Sequence, residues 1–162
     1  MNRRDMKLAR PNRVSHSHTQ TINGTPEEIF PLMCPVREID WCRGWQPKLI
    51  LSSSGLVEQD CIFVMPGEKE DTIWHVTRLD AEKFYVEMLM VTPGRNVGKL
   101  EITLRPDDAD KTLSDVTYTH TSLGPDGDAF LKDFTRESYL DFMKVWEDEL
   151  NHYLATGEML AA

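Results

Sequence analysis

The sequence has few cysteines, no long apolar run and a shortage of positive charge. Its 162 residues include three cysteines without a Cys-x-x-Cys pair, which disfavours a disulfide framework or cysteine-based zinc site and favours the reducing cytoplasm. No apolar stretch approaches the roughly 20 residues that a membrane helix needs, so no membrane partner is expected. Lysine and arginine total 18 against 27 aspartate and glutamate, a net charge of −9. This balance disfavours nucleic acid, because phosphate binding requires a basic surface.

Common enzyme motifs are also absent. The chain contains no G-x-G-x-x-G, Walker loop, G-x-S-x-G or H-E-x-x-H sequence, so nucleotide-dependent enzymes, α/β-hydrolases and zincin-type proteases are disfavoured. No cofactor is predicted. The composition, with 40% hydrophobic and 28% charged residues, is that of an ordinary globular domain.

The positive charge that is present concentrates at the N-terminus. Residues 1–13 contain five basic side chains and one acidic side chain, without the apolar core of a secretory signal. We interpret 1–13 as a basic flexible tail, either solvated or in contact with an acidic partner, and 158–162 as a C-terminal tail. A single domain is predicted over 14–157.

The pattern of apolar residues predicts an α+β domain. Alternation over 14–22 indicates a first strand, and Thr25-Pro26-Glu27-Glu28 begins a short helix with a capping box. A second short helical piece follows at 36–44. Three- and four-residue steps predict one long amphipathic helix from about 126 to 156, ended by Gly157. Six further strands are predicted near 48–53, 57–65, 71–79, 83–92, 97–105 and 113–122.

Seven antiparallel strands have to bury one face of their sheet, and the last helix is the long apolar element available to cover it. A strongly curved sheet is wider than one helix can fill. We therefore expect a cavity between sheet and helix, roofed by the two short helices. The open edges of such a sheet also leave a homodimer as an alternative to a monomer.

Four stretches of sequence carry a family resemblance: 25–30 (TPEEIF), 34–45 (CPVREIDWCRGW), 72–77 (TIWHVT) and 146–157. With the order of elements, they resemble the START-like (SRPBCC) helix-grip superfamily, which includes pollen-allergen-like and polyketide cyclase/dehydrase-like proteins. The resemblance implies a seven-stranded curved antiparallel sheet wrapped round a long C-terminal helix, with two short helices after the first strand. It also implies a hydrophobic small molecule in the cavity, and some members catalyse cyclisation or dehydration.

We therefore predict a binding protein for a small hydrophobic or aromatic molecule. Trp41 and Trp45 lie in the segment that covers the cavity, where they either clamp a ligand or stack on the sheet edge. Inward-facing methionines and aromatic side chains either line a cavity or form plain core. The predicted ligand-binding residues are Trp41, Trp45, Phe63, Met65, His75, Met88, Met90, Ile102, Tyr118, His120, Phe134, Met143 and Trp146.

The alternative function is a cofactor-independent cyclase, dehydratase or hydrolase acting on such a ligand. It needs a buried acid–base pair, and the candidates are His75, His120, Tyr118 and Asp40. His75 follows Trp74 on a predicted strand, so one of the two side chains faces inward and the other outward. The sequence leaves open which of them faces the cavity.

A zinc site is a weaker alternative. His16 and His18 share one face of the first strand, and His120 lies on the last strand, its expected neighbour, so three imidazoles converge if this face is the inner one. If the serine and threonine face of the first strand is the inner one instead, these histidines face solvent. No metal is predicted as the primary interpretation.

Overall fold

Residues 6–108 and 110–162 are described by a computed structural model, and within them seven antiparallel strands form one sheet. The strand order is β1-β7-β6-β5-β4-β3-β2, so β1 and β2 are the two edges. This confirms the predicted α+β fold class and the meander. The strands are β1 (Arg13–Ile22), β2 (Leu49–Leu51), β3 (Ile62–Met65), β4 (Thr72–Asp80), β5 (Tyr85–Thr92), β6 (Asn96–Asp107) and β7 (Lys111–Ser122).

The helices within the described residues lie after β1 and at the C-terminal end. Both predicted short helices are present, and the first of them continues into a 3₁₀ turn over Phe30–Leu32. None of the helices in these residues is long and apolar enough to cross a membrane. The helices are α1 (Pro26–Ile29), α2 (Glu38–Trp41), α3 (Pro125–Asp133) and α4 (Arg136–Thr156).

The predicted capping box forms at the start of α1. The Thr25 hydroxyl accepts the backbone N–H of Glu28 at 3.3 Å, and the Glu28 carboxylate accepts the backbone N–H of Thr25 at 3.0 Å. Two N–H groups without helical partners are satisfied in this way, which fixes the point where the chain turns from β1 into the roof of the fold.

The prediction of a single long helix from about 126 to 156 is wrong, because the helix is interrupted between α3 and α4. Phe134 leaves the helical region with φ −81° and ψ 61°. Thr135 is extended, with φ −80° and ψ 163°, and its hydroxyl accepts the N–H of Ser138 at 3.1 Å. An N-cap residue needs this non-helical backbone, so the cap that starts α4 also ends the helix before it.

The α4 helix covers the inner face of the sheet. Its side chains Tyr139, Met143, Trp146 and Leu150 are buried at three- and four-residue intervals, as an amphipathic helix requires. The Tyr139 hydroxyl donates to the carbonyl of Val116 at 2.6 Å and ties the helix to β7. The core therefore lies between α4 and the concave side of the sheet.

The N-terminal boundary differs slightly from the predicted one. Of the predicted tail over 1–13, residues 1–5 lie outside the described residues. The carbonyl of Asn12 accepts the N–H of Ser122 at 2.9 Å, and its side-chain amide donates to Asp128 at 2.8 Å. The chain is thus already attached to the sheet edge at residue 12, one residue before β1.

One row of the outer sheet face is apolar from β2 to β6. Leu49, Val64, Ile73, Val91 and Val97 lie side by side in register across these five strands. Leu49 is 47% exposed and Ile73 is 44% exposed. The usual alternation of a half-buried antiparallel strand, apolar inward and polar outward, is therefore lost in this part of the sheet.

Candidate functional site

The first strand directs its histidines to the inner face. His16, His18 and Gln20 alternate with Ser15 and Ser17, whose hydroxyls pair outside with threonines of β7. This settles the alternative left open by the sequence. The inner position does not make a metal site, however: no group of three His, Cys, Asp or Glu side chains in the described parts of the chain is arranged to hold a metal ion.

The histidines of the proposed zinc site have other contacts. The Nε2–H of His16 donates to the Phe134 carbonyl at 3.0 Å, and its ring stacks on Tyr139 with centroids 5.5 Å apart. The Nδ1 of His120 is 3.0 Å from the side-chain amide nitrogen of Asn96. His16 therefore packs against α4, and His120 belongs to a separate cluster.

A cavity of about 370 Å³ lies between the sheet, the segment after α2 and α4. Five aromatic side chains and several aliphatic ones form its walls. The Trp45 indole N–H donates to the Pro35 carbonyl at 2.8 Å, which holds this ring in the roof. The aromatic lining residues are Trp45, Trp74, Tyr118, Phe142 and Trp146, and the apolar floor on β5 and β6 is Met88, Leu100 and Ile102.

The charged side chains of the cavity are Glu38, Arg43 and Glu149. The Arg43 Nε donates to Glu149 Oε1 at 2.9 Å, so these two charges satisfy each other. Glu38, the first residue of α2, has no hydrogen-bond or ion-pair partner among the described residues. The residue is half-buried and lines the cavity. The carboxyl group therefore faces the cavity.

Burial sets the protonation state of three groups here. It raises the pKa of the Glu38 carboxyl to about 8, because the charged form loses its hydration. The pKa of the Cys42 thiol is raised to about 12 by burial and by the nearby carboxylates of Glu38 and Glu149. Burial and the negative charge of Glu38 also raise the pKa of Tyr118. At neutral pH the cavity presents a carboxylic acid and a phenol as hydrogen-bond donors.

The structure divides the predicted ligand-binding residues into groups. Five of them line this cavity: Trp45, Met88, Ile102, Tyr118 and Trp146. Four others are buried core that does not line it: Trp41, Phe63, Met90 and Met143. Trp41 is fully buried, donates to the Leu32 carbonyl at 3.2 Å and stacks on Trp146, so it supports the wall from behind. Met65, at the end of β3, packs at the edge of the core.

Two of the acid–base candidates lie outside the cavity. His75 is on the outer face of β4, 40% exposed, with Nε2 3.1 Å from the carboxylate of Asp60. Trp74 faces inward in its place, because β4 pairs the Trp74 row with buried residues of β5. Asp40 is exposed and accepts from Arg37 at 3.0 Å. The expectation that His75 or Asp40 serves as a buried base is therefore corrected.

Sequence reasoning missed Glu38. The signal that identifies it is helical spacing: residues three and four apart share one side of a helix, and Glu38 precedes the buried Trp41 by three and Cys42 by four. Asp40, one position before Trp41, is turned outward by the same geometry. The wrong acidic residue was chosen because two acidic positions lie within one short helix.

A second cavity of about 240 Å³ adjoins the first one. Tyr118 and Phe142 line both, and their rings pack edge to face at 5.9 Å between centroids. Two further predicted ligand-binding residues, His120 and Phe134, belong to this second cavity. Its lining residues are Tyr118, His120, Phe130, Phe134, Ser138, Tyr139 and Phe142.

Several solved structures share this architecture. Truncated norcoclaurine synthase from Thalictrum flavum matches with a TM-score of 0.66 and 12% identity, over 93% of this chain and 98% of the other. Ara h 8.0201 matches with a TM-score of 0.62 and 12% identity, over 90% and 100%. CalU16 from Micromonospora echinospora matches with a TM-score of 0.59 and 14% identity, over 91% and 85%.

The chain has the helix-grip fold. The structures above share its curved sheet and C-terminal helix, which confirms the fold that the sequence resemblance implied. No protein-family model and no curated protein matches the sequence. At identities this low the likeness shows the helix-grip fold alone, so the function has to be argued from the two cavities.

Proposed function

We propose that this helix-grip protein binds a small apolar or aromatic molecule in the larger cavity. The observation that carries the proposal is the cavity itself: about 370 Å³ between sheet and α4, with aromatic walls and a carboxyl group, that of Glu38, without an ion-pair partner among the described residues. Cavities of this size and lining are the usual form of small-molecule sites. The fold neighbours include a protein named as a synthase, norcoclaurine synthase, which is consistent with a small molecule as ligand.

The driving force would be burial of apolar surface. A ligand that buries about 300 Å² of apolar surface gains about 7 kcal/mol at roughly 25 cal/mol per Å², before the costs of association. Trp45 and Trp146 offer flat faces on which a ring can stack. After these costs such a balance gives affinities weaker than micromolar, set by shape more than by polar contacts.

Glu38 and Tyr118 would orient the ligand. Both line the same cavity, and Glu38 interacts electrostatically with the Tyr118 hydroxyl. Protonated at neutral pH, they donate hydrogen bonds and leave no fixed charge to desolvate. A ligand with an oxygen or nitrogen acceptor at one end and an apolar body at the other fits this arrangement.

The first test is native mass spectrometry of freshly purified protein, compared with its denatured mass. An additional mass of a few hundred daltons that denaturation releases supports the proposal and provides the ligand. The second test is titration with N-phenyl-1-naphthylamine, a neutral dye that fluoresces in apolar sites. We expect saturable binding to the native chain. Because Trp45, Trp74 and Trp146 line the cavity, a dye bound there should also quench tryptophan emission.

A matched pair of variants locates the dye. Val145→Trp places a large ring in the cavity from α4, at a position that is 48% exposed and therefore tolerant. Val97→Trp adds the same ring to the outer face of β6. We expect Val145→Trp to weaken dye binding at least about tenfold and Val97→Trp to leave it unchanged. Equal binding by both folded variants would overturn the proposal.

The second candidate function, an acid–base enzyme acting on the same ligand, is favoured by the pKa of Glu38. A carboxyl with a pKa of about 8 is suited to proton transfer near neutral pH. With the ligand identified, Glu38→Gln and Tyr118→Phe should each reduce turnover about 100-fold or more, whereas Asp40→Asn should not. Turnover that survives both Glu38→Gln and Tyr118→Phe would show that these groups are not the acid and base, whereas no turnover of the bound ligand by the native chain would leave binding as the function.

A further inference from the structure

The smaller cavity has one nearly buried polar ring in an otherwise aromatic wall. His120 is 7% exposed and lies between Phe130 and Phe134, which meet it edge to face at 5.0 and 4.8 Å between centroids. Phe134 reaches this position because it is in the break between α3 and α4. The aromatic wall around His120 therefore depends on the interruption between α3 and α4.

The sheet fixes how the His120 ring sits. Gly98 is its partner across the β6–β7 ladder, and a Cβ at residue 98 would come within 2.7 Å of Nδ1 and 2.8 Å of Cε1. The ring therefore lies close over the glycine backbone, in space that any other residue at position 98 would occupy. This close approach holds the imidazole plane in one orientation.

Hydrogen bonds fix the tautomer of His120. The Arg95 Nε–H donates to Asn96 Oδ1 at 2.8 Å, which leaves the Asn96 amide group to donate to His120 Nδ1 at 3.0 Å. Since Nδ1 accepts, the proton of the neutral ring is on Nε2. Burial, with a smaller contribution from the charge of Arg95, lowers the pKa of His120 to about 4, so the ring is neutral at physiological pH.

The Nε2–H group has no protein acceptor among the described residues. This nitrogen keeps some accessible surface: among the described residues, the unpaired side-chain polar atom that is fully buried is Trp74 Nε1, and His120 Nε2 is not. Two hydroxyls of the wall are already used: Tyr139 donates to Val116 and Ser138 donates to backbone carbonyls of the helix break. His120 Nε2–H therefore presents an unused donor to the smaller cavity, beside the Tyr118 ring.

The surroundings favour an electronegative atom at this donor. Ser138 is in the first turn of α4, whose N-terminal end carries a partial positive charge. The Arg95 guanidinium lies over the Phe130 ring, 4.2 Å from its centroid. A full negative charge would face four or five aromatic rings and no directly contacting cation, so a neutral oxygen acceptor fits better.

We propose that the smaller cavity is a second binding subsite. It takes a compound with one aromatic ring and a carbonyl group, whose oxygen accepts a hydrogen bond from His120 Nε2–H. The ring would stack among Phe130, Phe134 and Phe142. The cavity of about 240 Å³ limits the occupant to about one ring. The subsite adjoins the larger cavity at Tyr118 and Phe142, but its donor His120 does not line that cavity, so the proposal does not depend on the function proposed above.

The test uses two probes of nearly the same shape, acetophenone and isopropylbenzene, added to the 15N-labelled full chain. Long-range 1H–15N spectra report the tautomer of each histidine. We expect acetophenone to bind about threefold to tenfold more tightly, the range of one net hydrogen bond, and to shift the His120 Nε2 resonance. Equal affinity for the two probes, or shifts confined to residues of the larger cavity, would overturn the subsite.

Variants separate the donor from the cavity. His120→Phe keeps a flat ring over Gly98 but removes the donor, so both probes should bind equally; His75→Phe, on the outer face, should preserve the difference. His120→Phe also removes the Nδ1 atom that accepts from the Asn96 amide and can impair folding. A second variant, Ser138→Trp, therefore blocks the cavity from an exposed position, with Ser138→Ala as its control. Ser138→Trp should abolish acetophenone binding while N-phenyl-1-naphthylamine still binds. Acetophenone binding that survives Ser138→Trp would contradict the proposal.

Discussion

The guanidinium of Arg43 donates to the carboxylate of Glu149 at 2.9 Å, and the backbone N–H of Arg43 donates to the same carboxylate at 3.3 Å. Glu149 is a buried residue of α4, whereas the Arg43 side chain is 38% exposed. The pair joins the segment after α2 to the C-terminal helix at the rim of the larger cavity. This ion pair therefore links the segment after α2 to α4 across the rim of the cavity.

Removal of Arg43 should destabilise the protein more than removal of both partners. We expect Arg43→Ala to lower the free energy of unfolding by about 1–3 kcal/mol, because it leaves a buried carboxylate with its backbone contact alone. Water at the exposed side of Arg43 screens part of this effect. Adding Glu149→Gln should recover part of the loss. Urea unfolding of the two single variants and the double variant measures the coupling, and strictly additive effects would show that the pair contributes none.

Stability should fall with rising pH because of Glu38. Its pKa in the folded protein is about 8, above the ordinary value of 4.5, so between these values the folded state binds more protons than the unfolded state. The contribution is fully present below pH 4.5 and is lost as pH rises to about 8, with a slope of at most about 1.4 kcal/mol per pH unit. Glu38→Gln should flatten this part of the curve, and Asp40→Asn should not.

Acidification should act through His120 in the opposite direction. Its pKa falls from the ordinary 6.5 to about 4 in the folded protein, so the unfolded state binds more protons between these values. Stability is therefore expected to decrease as pH falls from 6.5 towards 4. A histidine NMR titration should find His120 neutral at pH 5.5. A His120 that titrates near 6.5 would show that the burial does not control its charge.

The N-cap of α4 should be worth about 1 kcal/mol. Thr135→Ala removes the hydroxyl that accepts the Ser138 N–H, and loss of such a cap typically costs about 0.5–2 kcal/mol. Thr135→Ser keeps the acceptor and is the matched control. Thermal unfolding of both variants compares them; equal melting temperatures would mean that the break between α3 and α4 is held by packing alone.

The outline of the fold was predictable because its signals are local. The capping box at Thr25, the Gly157 C-cap and the turns between strands each depend on residues adjacent in sequence. The break at Phe134 was missed, because four-residue spacing holds before it, from Phe130 to Phe134, and after it, from Tyr139 to Met143, and only the five-residue step from Phe134 to Tyr139 departs from helical spacing. The non-helical backbone of Phe134 and Thr135 interrupts the helix, and the Thr135 cap holds it locally.

The candidate site was less predictable because its position depends on which side of each element faces inward. On β4, Ile73 outside and Trp74 inside are both apolar, so alternation gives no phase, and His75 was placed in the cavity. In α2, four residues give too little periodicity to choose between Glu38 and Asp40. In both elements an inward-facing tryptophan sets the phase through contacts with other segments: Trp74 packs against Trp45 and Phe63, and Trp41 stacks on Trp146.

The apolar row from Leu49 to Val97 on the outer sheet face gives the acidic composition a second role, which is to keep the protein dispersed in solution. The row from Leu49 to Val97 ends at β2, a free edge whose backbone groups are open to pairing. At neutral pH the charge of −9 keeps two such surfaces apart by mutual repulsion. Near the isoelectric point of about 5.0 this repulsion vanishes, and two molecules can then associate through the apolar row and the free edge of β2.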